Sequence, residues 1–293
     1  MGFSQRIKPA SAMSLQWYPG HMTKARRELA ALMPSQDVVI EVLDARLPTS
    51  SANPVITELR GKKPVVKVLT KSDLADPEAT KAWTEYFNGL PLTMAFSSTT
   101  DRPQVTRKRI SELCRDLAKH RGKDKAVRAL IAGVPNVGKS TLVNTLMNRA
   151  VAKVSDKPAV TKEQQAVTLP DGMQLTDTPG LMWPKIEDER RAFRLAFAGS
   201  IPDTAIDYYQ IGLFNAGVLL ERYSVLVMAR YKLERRPADP TALLDEIGRR
   251  RGLLLKGGVV DPHKAAELLV HEFRAGMLGR ITLEVPPAPG PFA

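Results

Sequence analysis

Eight residues near the middle of the chain have the spacing of a loop that binds phosphate. The string GVPNVGKS occupies residues 133–140, between a short apolar segment and the start of a helical pattern. In such a loop the backbone surrounds the phosphate oxygens, Lys139 reaches the β and γ oxygens, and the Ser140 hydroxyl ligates Mg²⁺. The predicted phosphate-binding residues are Pro135, Asn136, Val137, Gly138, Lys139, Ser140 and Thr141.

A second string, DTPG at residues 177–180, begins 38 residues after Lys139. Asp177 can hold Mg²⁺ directly or through water, and the N–H of Gly180 can reach a γ-phosphate because no Cβ stands in the way. Thr161 lies between the two strings and is the candidate to complete the Mg²⁺ shell. An ordinary surface threonine is the alternative at that position.

A third string, TKSD at residues 70–73, has the form of an element that reads guanine. The Asp73 carboxylate can accept hydrogen bonds from N1 and N2 of guanine, and Lys71 can lie along the ring. Ser97 and Ser98 end the next predicted strand, where a backbone N–H could meet guanine O6. A plain polar turn is the alternative interpretation of residues 70–73.

The order of these strings is unusual, because the guanine string precedes the phosphate string. In Ras-like GTPases the guanine string follows. The swapped order predicts a circularly permuted Ras-like P-loop GTPase domain, in the α/β class.

The hydrophobic pattern predicts the elements that hold the strings. Apolar, β-branched runs at residues 37–43, 64–69, 92–96, 127–132, 165–169 and 173–176 predict strands, with helices at 22–33, 77–87, 103–120 and 139–147 between them. The alternation indicates a doubly wound, mostly parallel sheet. Beyond Trp183 the spacing is helical only, at residues 186–198, 205–223, 224–233, 240–251 and 262–277, which predicts a small all-helical domain.

Composition narrows the class of protein. The 293 residues include one cysteine, Cys114, which excludes an internal disulfide and a cysteine metal site and favours a reducing, intracellular compartment. No apolar run is long enough to cross a bilayer, and residues 1–12 lack a secretory apolar stretch. Met13 is a possible second start, so residues 1–12 are either native sequence or a leader.

The formal net charge of +12 favours a polyanionic partner. Residues 102–128 carry ten Lys or Arg against three acids, whereas residues 184–293 carry sixteen against fourteen. Contact with RNA and a simple solvated helix face with a linker are both compatible with this distribution.

Two further strings give the chain a specific resemblance. Residues 17–22 read WYPGHM, similar to the WFPGHM signature of the bacterial ribosome biogenesis GTPase A family, also called RbgA or YlqF. RG at residues 251–252, GG at 257–258, Asp261 and FR at 273–274 resemble the C-terminal segment of that family. The resemblance extends from Leu15 to Glu284 and places the chain among the circularly permuted GTPases of the YlqF/YawG class.

The resemblance implies a GTPase that binds the large ribosomal subunit and acts late in its assembly. It also implies a C-terminal helical domain that contributes to rRNA binding. We therefore expect a flexible segment at 1–14, the GTPase domain at 15–183, the helical domain at 184–284 and a disordered tail at 285–293. The expected protein is a cytoplasmic, ribosome-associated monomer.

The chain departs from the family pattern at three places. Thr70 stands where the guanine string usually begins with Asn, so a shorter hydroxyl must replace an amide tether. Ala159 replaces a glycine in the string before Thr161, and the serine loop at residues 97–98 lacks the SAK form.

The catalytic group is open at this stage. Ras-like proteins orient the attacking water with a glutamine after the DxxG glycine, but this chain has Leu181 there. The candidates are His21, a K⁺ ion held by Asn136, and a group supplied by the ribosome, in addition to Lys139 and Gly180.

Two other function classes compete with the leading one. An RNA-binding scaffold with weak or no GTP turnover would treat Thr70 and Leu181 as signs of decay, which the intact Asp73, Lys139 and Asp177 argue against. A GTPase acting on tRNA, on a membrane or in metal transport is the other class, and the missing membrane segment and Cys/His cluster disfavour its transport options.

Overall fold

The computed structural model describes residues 20–122, 125–148, 165–183 and 186–287. The predicted N-terminal segment 1–14, Ala159, Thr161 and residues 288–293 of the predicted tail lie outside these ranges. Backbone placement is described for His21, but its side chain is not.

Six strands form one sheet in the order β3-β2-β1-β4-β6-β5. All neighbours are parallel except β5 and β6, which are antiparallel. The strands are β1 (Val38–Asp44), β2 (Val65–Thr70), β3 (Thr93–Ser97), β4 (Arg128–Ala132), β5 (Gln165–Thr168) and β6 (Gln174–Asp177). The mostly parallel sheet predicted from the sequence is confirmed.

Helices cover the sheet and continue beyond it. They are α1 (Gly20–Leu32), α2 (Pro48–Ser51), α3 (Pro54–Arg60), α4 (Pro77–Asn88), α5 (Pro103–Leu117), α6 (Lys139–Met147), α7 (Glu189–Phe197), α8 (Tyr208–Arg222), α9 (Ser224–Tyr231), α10 (Pro240–Arg251) and α11 (Pro262–Arg274).

The sequence pattern missed α2 and α3, because both are short and begin at prolines inside a stretch without helical periodicity. The helix predicted to reach residue 120 was also too long. α5 ends at Leu117 and is followed by a 3₁₀ turn, Lys119–Arg121.

Strands β1 and β2 are both interior strands of the sheet, each paired on its two sides. Every residue of both strands is buried, as expected for parallel strands covered by helices on both faces. Glu41 on β1 and Lys67 on β2 are directly opposite in register and form an ion pair. Pairing makes burial of these two charges tolerable.

The helices α7 to α11 form the second, helical part of the chain, as predicted. Aspartates cap four of them by accepting backbone N–H bonds, at Asp188, Asp207, Asp239 and Asp261. Phe197 of α7 stacks on Phe273 of α11 with ring centroids 4.4 Å apart, which joins the first and last helices of this part.

After α11 the chain leaves the helical part and returns to the sheet. Residues 280–284 form neither helix nor strand, and they lie against the carboxyl ends of β1 and β2. We call residues 280–284 the strap. We expected these residues to belong to the helical domain, and they contact both parts of the chain. Leu283 and Glu284 bond to the GTPase domain, whereas Thr282 accepts hydrogen bonds from Arg222 and Tyr223 of the helical part.

No single helix in the described parts of the chain has the length and apolarity of a membrane span. The pair α8 and α9 meets the length and composition criterion only together, with a bend of 111° between them.

Candidate functional site

The sheet has a topological switch point between β1 and β4. From β1 the chain proceeds through β2 to β3 on one side, and it then returns to place β4 on the other side of β1. Ligands of open α/β sheets bind at the carboxyl ends of the strands beside such a point. Three of the strings identified in the sequence follow strands that end at this edge, namely residues 70–73, 133–140 and 177–180.

Residues 133–140, the phosphate loop, follow β4 and lead into α6. Gly138 has φ of 94°, in the left-handed region that favours glycine, and it forms the N-cap of α6. Lys139, Ser140 and Thr141 therefore make the first turn of the helix, whose N-terminus favours anions. Pro135 has no N–H, so the predicted amide contacts to phosphate can begin only at Asn136.

The phosphate loop also touches the helical part of the chain. Asn136 has φ of 60°, and its Nδ2 donates a 2.8 Å hydrogen bond to the carbonyl oxygen of Gly199, just after α7. Asn136, the predicted K⁺ ligand, therefore links the phosphate loop to the helical part of the chain by a hydrogen bond. Of the two polar atoms in the Asn136 side chain, Oδ1 is the one with a lone pair for a cation, because Nδ2 is a donor.

A buried ion pair joins the phosphate loop to the sensor loop, residues 177–180. Lys139 Nζ lies 3.0 Å from Asp177 Oδ1, and both side chains are buried. These are the groups predicted to meet phosphate oxygens and Mg²⁺, respectively. Asp177 ends β6 and Ser140 lies in the first turn of α6, and carboxylate and hydroxyl oxygens are among the ligands that Mg²⁺ prefers.

The sensor loop is packed directly on the phosphate loop. A Cβ built on Gly180 would lie 3.1 Å from the Cα of Pro135, which leaves no ordinary space for a side chain. The N–H of Leu181 donates to the carbonyl oxygen of Gly133 at 3.1 Å, and Asn53 Nδ2 donates to the carbonyl oxygen of Leu181 at 2.6 Å. A shift of the sensor loop must therefore disturb the phosphate loop.

Leu181 is buried with Met182 and Trp183. Its side chain belongs to the core and offers no hydrogen-bonding atom, which agrees with the expectation that water is oriented by another group.

The guanine string is part of a longer base loop, residues 70–76. The Thr70 hydroxyl lies within hydrogen-bond distance of two carbonyl oxygens, those of Leu43 and Val137. Since a hydroxyl carries one proton, it can donate to only one of them at a time. Thr70 thus provides the tether between base loop and phosphate loop that was expected to be weaker than an amide.

Lys71 adds a second tether from the base loop. Its Nζ donates to the carbonyl oxygen of Asn136 at 2.6 Å and lies 3.0 Å from Asp44 Oδ2. Asp44 is also bound by Arg46 through both carboxylate oxygens, at 3.0 and 2.8 Å. Burial alone would raise the pKa of Asp44, but the neighbouring Arg46 and Lys71 hold that pKa well below its usual range.

Asp73 is exposed at the surface of the base loop, where a carboxylate can reach a ligand. Ser97 is half-buried at the end of β3 and lines an open cleft of about 410 Å³. The cleft is lined by Ser72, Pro77, Thr80, Lys81, Thr84, Glu85, Ser97, Thr99 and Arg280.

One predicted base contact meets an obstacle in the structure. The N–H of Ser98 donates a 2.8 Å hydrogen bond to the carbonyl oxygen of Leu69. The Ser98 hydroxyl lies 3.2 Å from the Thr106 hydroxyl. Contact of the Ser98 amide with guanine O6 would require the bond to Leu69 to break. Of the two predicted serines, Ser97 is the one whose side chain faces the cleft.

The remaining predicted site residues lie outside the description. Thr161 falls in an undescribed stretch, and nothing is described of the His21 side chain. Within the described ranges, no group of three or more His, Cys, Asp or Glu side chains could hold a metal ion.

Several residues that shape the site were not among the predicted site residues. They are Asn53, Asp44, Arg46 and the strap, which belong to segments without a motif. The signal for Asp44 was the polar end of a buried strand, but nothing local identified its partners.

Comparisons with known proteins agree with this geometry. A family profile described as a 50S ribosome-binding GTPase matches residues 128–207, which include the phosphate loop and the sensor loop. Ribosome biogenesis GTPase A of Bacillus cereus is 42% identical over 94% of this chain and 95% of its own length. The Thermotoga maritima protein of the same name is 31% identical over 93% and 95%.

Solved structures show the same arrangement of elements. The GDP-bound structure of Thermotoga maritima YlqF superposes with a TM-score of 0.65 at 28% identity, covering 89% of this chain and all of that chain. A GNP-bound structure of the same protein gives 0.63 at 30% identity, covering 90% and 99%. With its circularly permuted GTPase domain and helical extension, the chain belongs to the ribosome biogenesis GTPase A family.

Proposed function

We propose that the chain is a GTP-hydrolysing switch that binds the large ribosomal subunit and promotes a late step of its assembly. Family membership makes it a GTPase of ribosome biogenesis. The observation that carries the finer proposal is the convergence of the phosphate, sensor and base loops at one sheet edge, with the helical part bonded to that edge.

We assign recognition of guanine to the base loop. The exposed Asp73 carboxylate accepts from N1 and N2, Lys71 lies along the ring, and Thr70 holds the loop to the phosphate loop. Adenine lacks this pair of donors, so the loop selects against it. Ser97 and Ser98 complete the base site on the side of β3.

The guanine assignment is tested by Asp73→Asn. An asparagine amide cannot accept from both donors, so binding of GDP should weaken by about 100-fold or more. Xanthosine diphosphate, which offers the complementary acceptor, should bind the variant better than GDP. Retained preference for GDP in a titration of fluorescent nucleotides would overturn the assignment.

For hydrolysis, we assign charge stabilisation to the phosphate loop and sensor loop. Lys139 contacts the β and γ oxygens, the N–H of Gly180 contacts the γ-phosphate, and Ser140, Asp177 and Thr161 hold Mg²⁺. A Mg²⁺ ion held by these residues would supply positive charge to the phosphate oxygens. The chain's own contribution is to hold these groups in a fixed arrangement before the reaction.

The group that orients the attacking water is His21, a K⁺ ion ligated by Asn136, or a residue of the ribosome. We propose that turnover is slow in the isolated protein and is stimulated by the subunit, with K⁺ at Asn136 in the position that an arginine finger fills elsewhere. GTP turnover in K⁺ and in Na⁺, with and without large subunits, tests this. Rapid turnover without subunits in Na⁺ would contradict it.

A hairpin of the helical part provides a surface for the subunit. Residues 252–260 follow α10 and expose Leu254, Leu255 and Val259 beside Lys256 and the three arginines 249–251. The exposed basic side chains of α5 add a second positive surface. Cationic side chains beside apolar ones suit rRNA with ribosomal protein, and binding should weaken steeply with salt.

The subunit surface is tested by Arg250→Glu in the hairpin region. We expect about tenfold weaker binding to large subunits at physiological salt and a smaller salt slope. The matched control is Lys62→Glu, an exposed lysine that precedes β2 in the GTPase domain. Equal weakening by both substitutions would indicate a general charge effect instead of a specific surface.

The nucleotide state is proposed to control this binding. Residues 181–183 run from the sensor loop toward α7, and Asn136 bonds directly to Gly199 at the end of that helix. Small movements of the sensor loop can therefore tilt the helical part. We expect the protein to bind the subunit tightly with GTP and to leave it with GDP. Cosedimentation with large subunits measures the affinity in each nucleotide state. Equal affinities in the two states would contradict the proposal.

We also propose that the protein is a monomer in the cytoplasm, associated with ribosomes. Analytical ultracentrifugation of the isolated protein and ribosome profiles of cell extract test these two points. An RNA-binding scaffold is the alternative outcome, and measurable GTP binding with negligible turnover even on subunits would support it.

A further inference from the structure

Arg280 of the strap makes two hydrogen bonds to the backbone of the base loop. Its Nε donates to the carbonyl oxygen of Ala75 at 2.9 Å, and its Nη2 donates to the carbonyl oxygen of Ser72 at 2.9 Å. The two acceptors lie on either side of Asp73. A planar guanidinium with both bonds made fixes the separation of these carbonyl groups.

The strap continues this contact through its backbone. The N–H of Ile281 donates to the carbonyl oxygen of Leu74 at 3.0 Å, and the hydroxyl of Thr282 accepts from the N–H of Asp76 at 3.2 Å. The strap therefore bonds to four of the seven residues of the base loop. Every one of these four is a neighbour of Asp73 within three positions.

The strap is itself held firmly against the GTPase domain. The Glu284 carboxylate accepts from the N–H groups of Thr49 and Ser50, and Leu283 donates its N–H to the carbonyl oxygen of Arg46 at 2.7 Å. Residues 281–283 are almost wholly buried. A loop bonded to such a segment has little freedom to move on its own.

The helical part joins this arrangement through Tyr223, which follows α8. Its hydroxyl lies 3.0 Å from both Asp76 Oδ2 and the carbonyl oxygen of Thr282, and it accepts from the N–H of Thr282 at 3.1 Å. Burial raises the pKa of Tyr223, so the hydroxyl keeps its proton and its donor role at neutral pH. Base loop, strap and helical part thus meet at one hydroxyl.

We propose that Arg280 is a positioning residue for guanine, acting through the two carbonyl bonds that fix the backbone around Asp73. This rests on the assignment of the base loop to guanine. Asp73 must meet two donors at once, and such recognition is sensitive to small displacements. Release of the strap increases the motion of Asp73, so the nucleotide dissociates faster and discrimination by the N2 amino group falls.

The test compares Arg280→Ala with Arg236→Ala in the full-length protein. Arg236 is also an exposed arginine that donates to a main-chain carbonyl, that of Leu220, but it does so within the helical part. We expect Arg280→Ala to release a fluorescent GDP analogue about tenfold faster, and Arg236→Ala to match the unmodified protein. Preference for GDP over IDP, which lacks the N2 amino group, should fall only in Arg280→Ala.

A second variant, Tyr223→Phe, approaches the same contact from the helical side. It should also speed GDP release, and thermal unfolding without nucleotide shows whether it is folded. Unchanged GDP release and unchanged GDP/IDP preference in a folded Arg280→Ala protein overturn the proposal. The Asp73→Asn variant tests the assignment of the base loop to guanine independently of the strap. Its result therefore distinguishes failure of that assignment from failure of the proposal for Arg280.

Discussion

The two ends of the nucleotide site are built in different ways. The phosphate end consists of two short loops, residues 133–140 and 177–180, joined by one buried ion pair and by close backbone packing. The base end combines the loop after β2, the end of β3 and the strap, whose contacts are separated by about 200 residues in sequence.

The difference shows how two kinds of binding problem are solved. A phosphate is bound by N–H groups of a helix start, which a local string of glycines can provide alone. A base is selected by the position of one carboxylate, and holding that position takes contacts from several elements. We therefore expect substitutions at the phosphate end to stop chemistry, and those at the base end to change affinity and stability.

The largest effect is expected at Lys139 and Ser140. Ser140→Ala removes the proposed Mg²⁺ ligand and should lower GTP turnover by about 10³-fold while the fold is retained. Lys139→Ala should lower it at least as much and should also destabilise the protein by about 3–5 kcal/mol, because Asp177 is left buried without its partner. Single-turnover assays measure the effect on hydrolysis, and urea unfolding measures the effect on stability. Near-normal turnover in Ser140→Ala would contradict the proposal that the phosphate end carries the chemistry.

The next effect concerns the ion network behind the base loop. Asp44→Asn leaves Arg46 and Lys71 without their shared carboxylate and should cost about 3–5 kcal/mol of stability at neutral pH. Because the folded pKa of Asp44 is depressed, its contribution is present above pH of about 4 and is lost as the pH falls further.

Urea unfolding at pH 7, 5 and 3.5 checks this dependence. The gap between unmodified protein and Asp44→Asn should be constant from pH 7 to 5 and should narrow at pH 3.5. Asp171→Asn serves as the control, since its carboxylate pairs with Arg115 at the surface and should contribute at most about 1 kcal/mol. A gap that widens toward low pH would contradict the assignment.

A smaller effect is expected from Gly180→Ala in the sensor loop. The added methyl group would approach Pro135 to 3.1 Å, so the loop has to shift from the phosphate loop by a few tenths of an ångström. We expect turnover to fall by about 10- to 100-fold with GDP affinity little changed. Weaker GDP binding with unchanged GTP turnover would contradict the proposal that the phosphate end controls chemistry and the base end controls affinity.

The smallest effect sharpens the role of Thr70. Thr70→Val removes the hydroxyl at nearly constant shape and should speed GDP release about fivefold, at a cost of about 1–2 kcal/mol in stability. Thr70→Asn brings two N–H donors to the same two carbonyl groups and should slow release two- to fivefold, by about 0.5–1 kcal/mol. Stopped-flow measurements with a fluorescent GDP analogue decide it, and faster release from the asparagine variant would show that the hydroxyl is the better tether here.

The sequence predicted the phosphate end in detail and the base end in outline. Gly138, Lys139 and Asp177 belong to local strings whose geometry follows from strand, loop and helix, so their positions could be derived. The strands and the longer helices followed from periodicity as well. The roles of Asp44, Asn53 and Arg280 could not be derived, because each depends on a partner that only the folded sheet brings near.

The contacts of the strap with the GTPase domain were missed for the same reason. Residues 280–284 follow a helix and carry no strand pattern, so local reasoning attached them to the helical domain. Their bonds to Arg46, Ser72 and Leu74 depend on the return of the chain across the sheet edge.

The strap also has a consequence for how the chain is made. Ser72 is synthesised 208 residues before Arg280, its bonding partner. At about 5–20 residues per second, the base loop waits roughly 10–40 s for the segment that backs it. Strands, phosphate loop and sensor loop can all fold during that interval, but the base loop acquires its bonds to the strap only when translation has passed the last helix. If the base loop binds guanine as proposed, a growing chain would hold GTP loosely, and firm retention of nucleotide would mark a molecule whose synthesis has passed the strap.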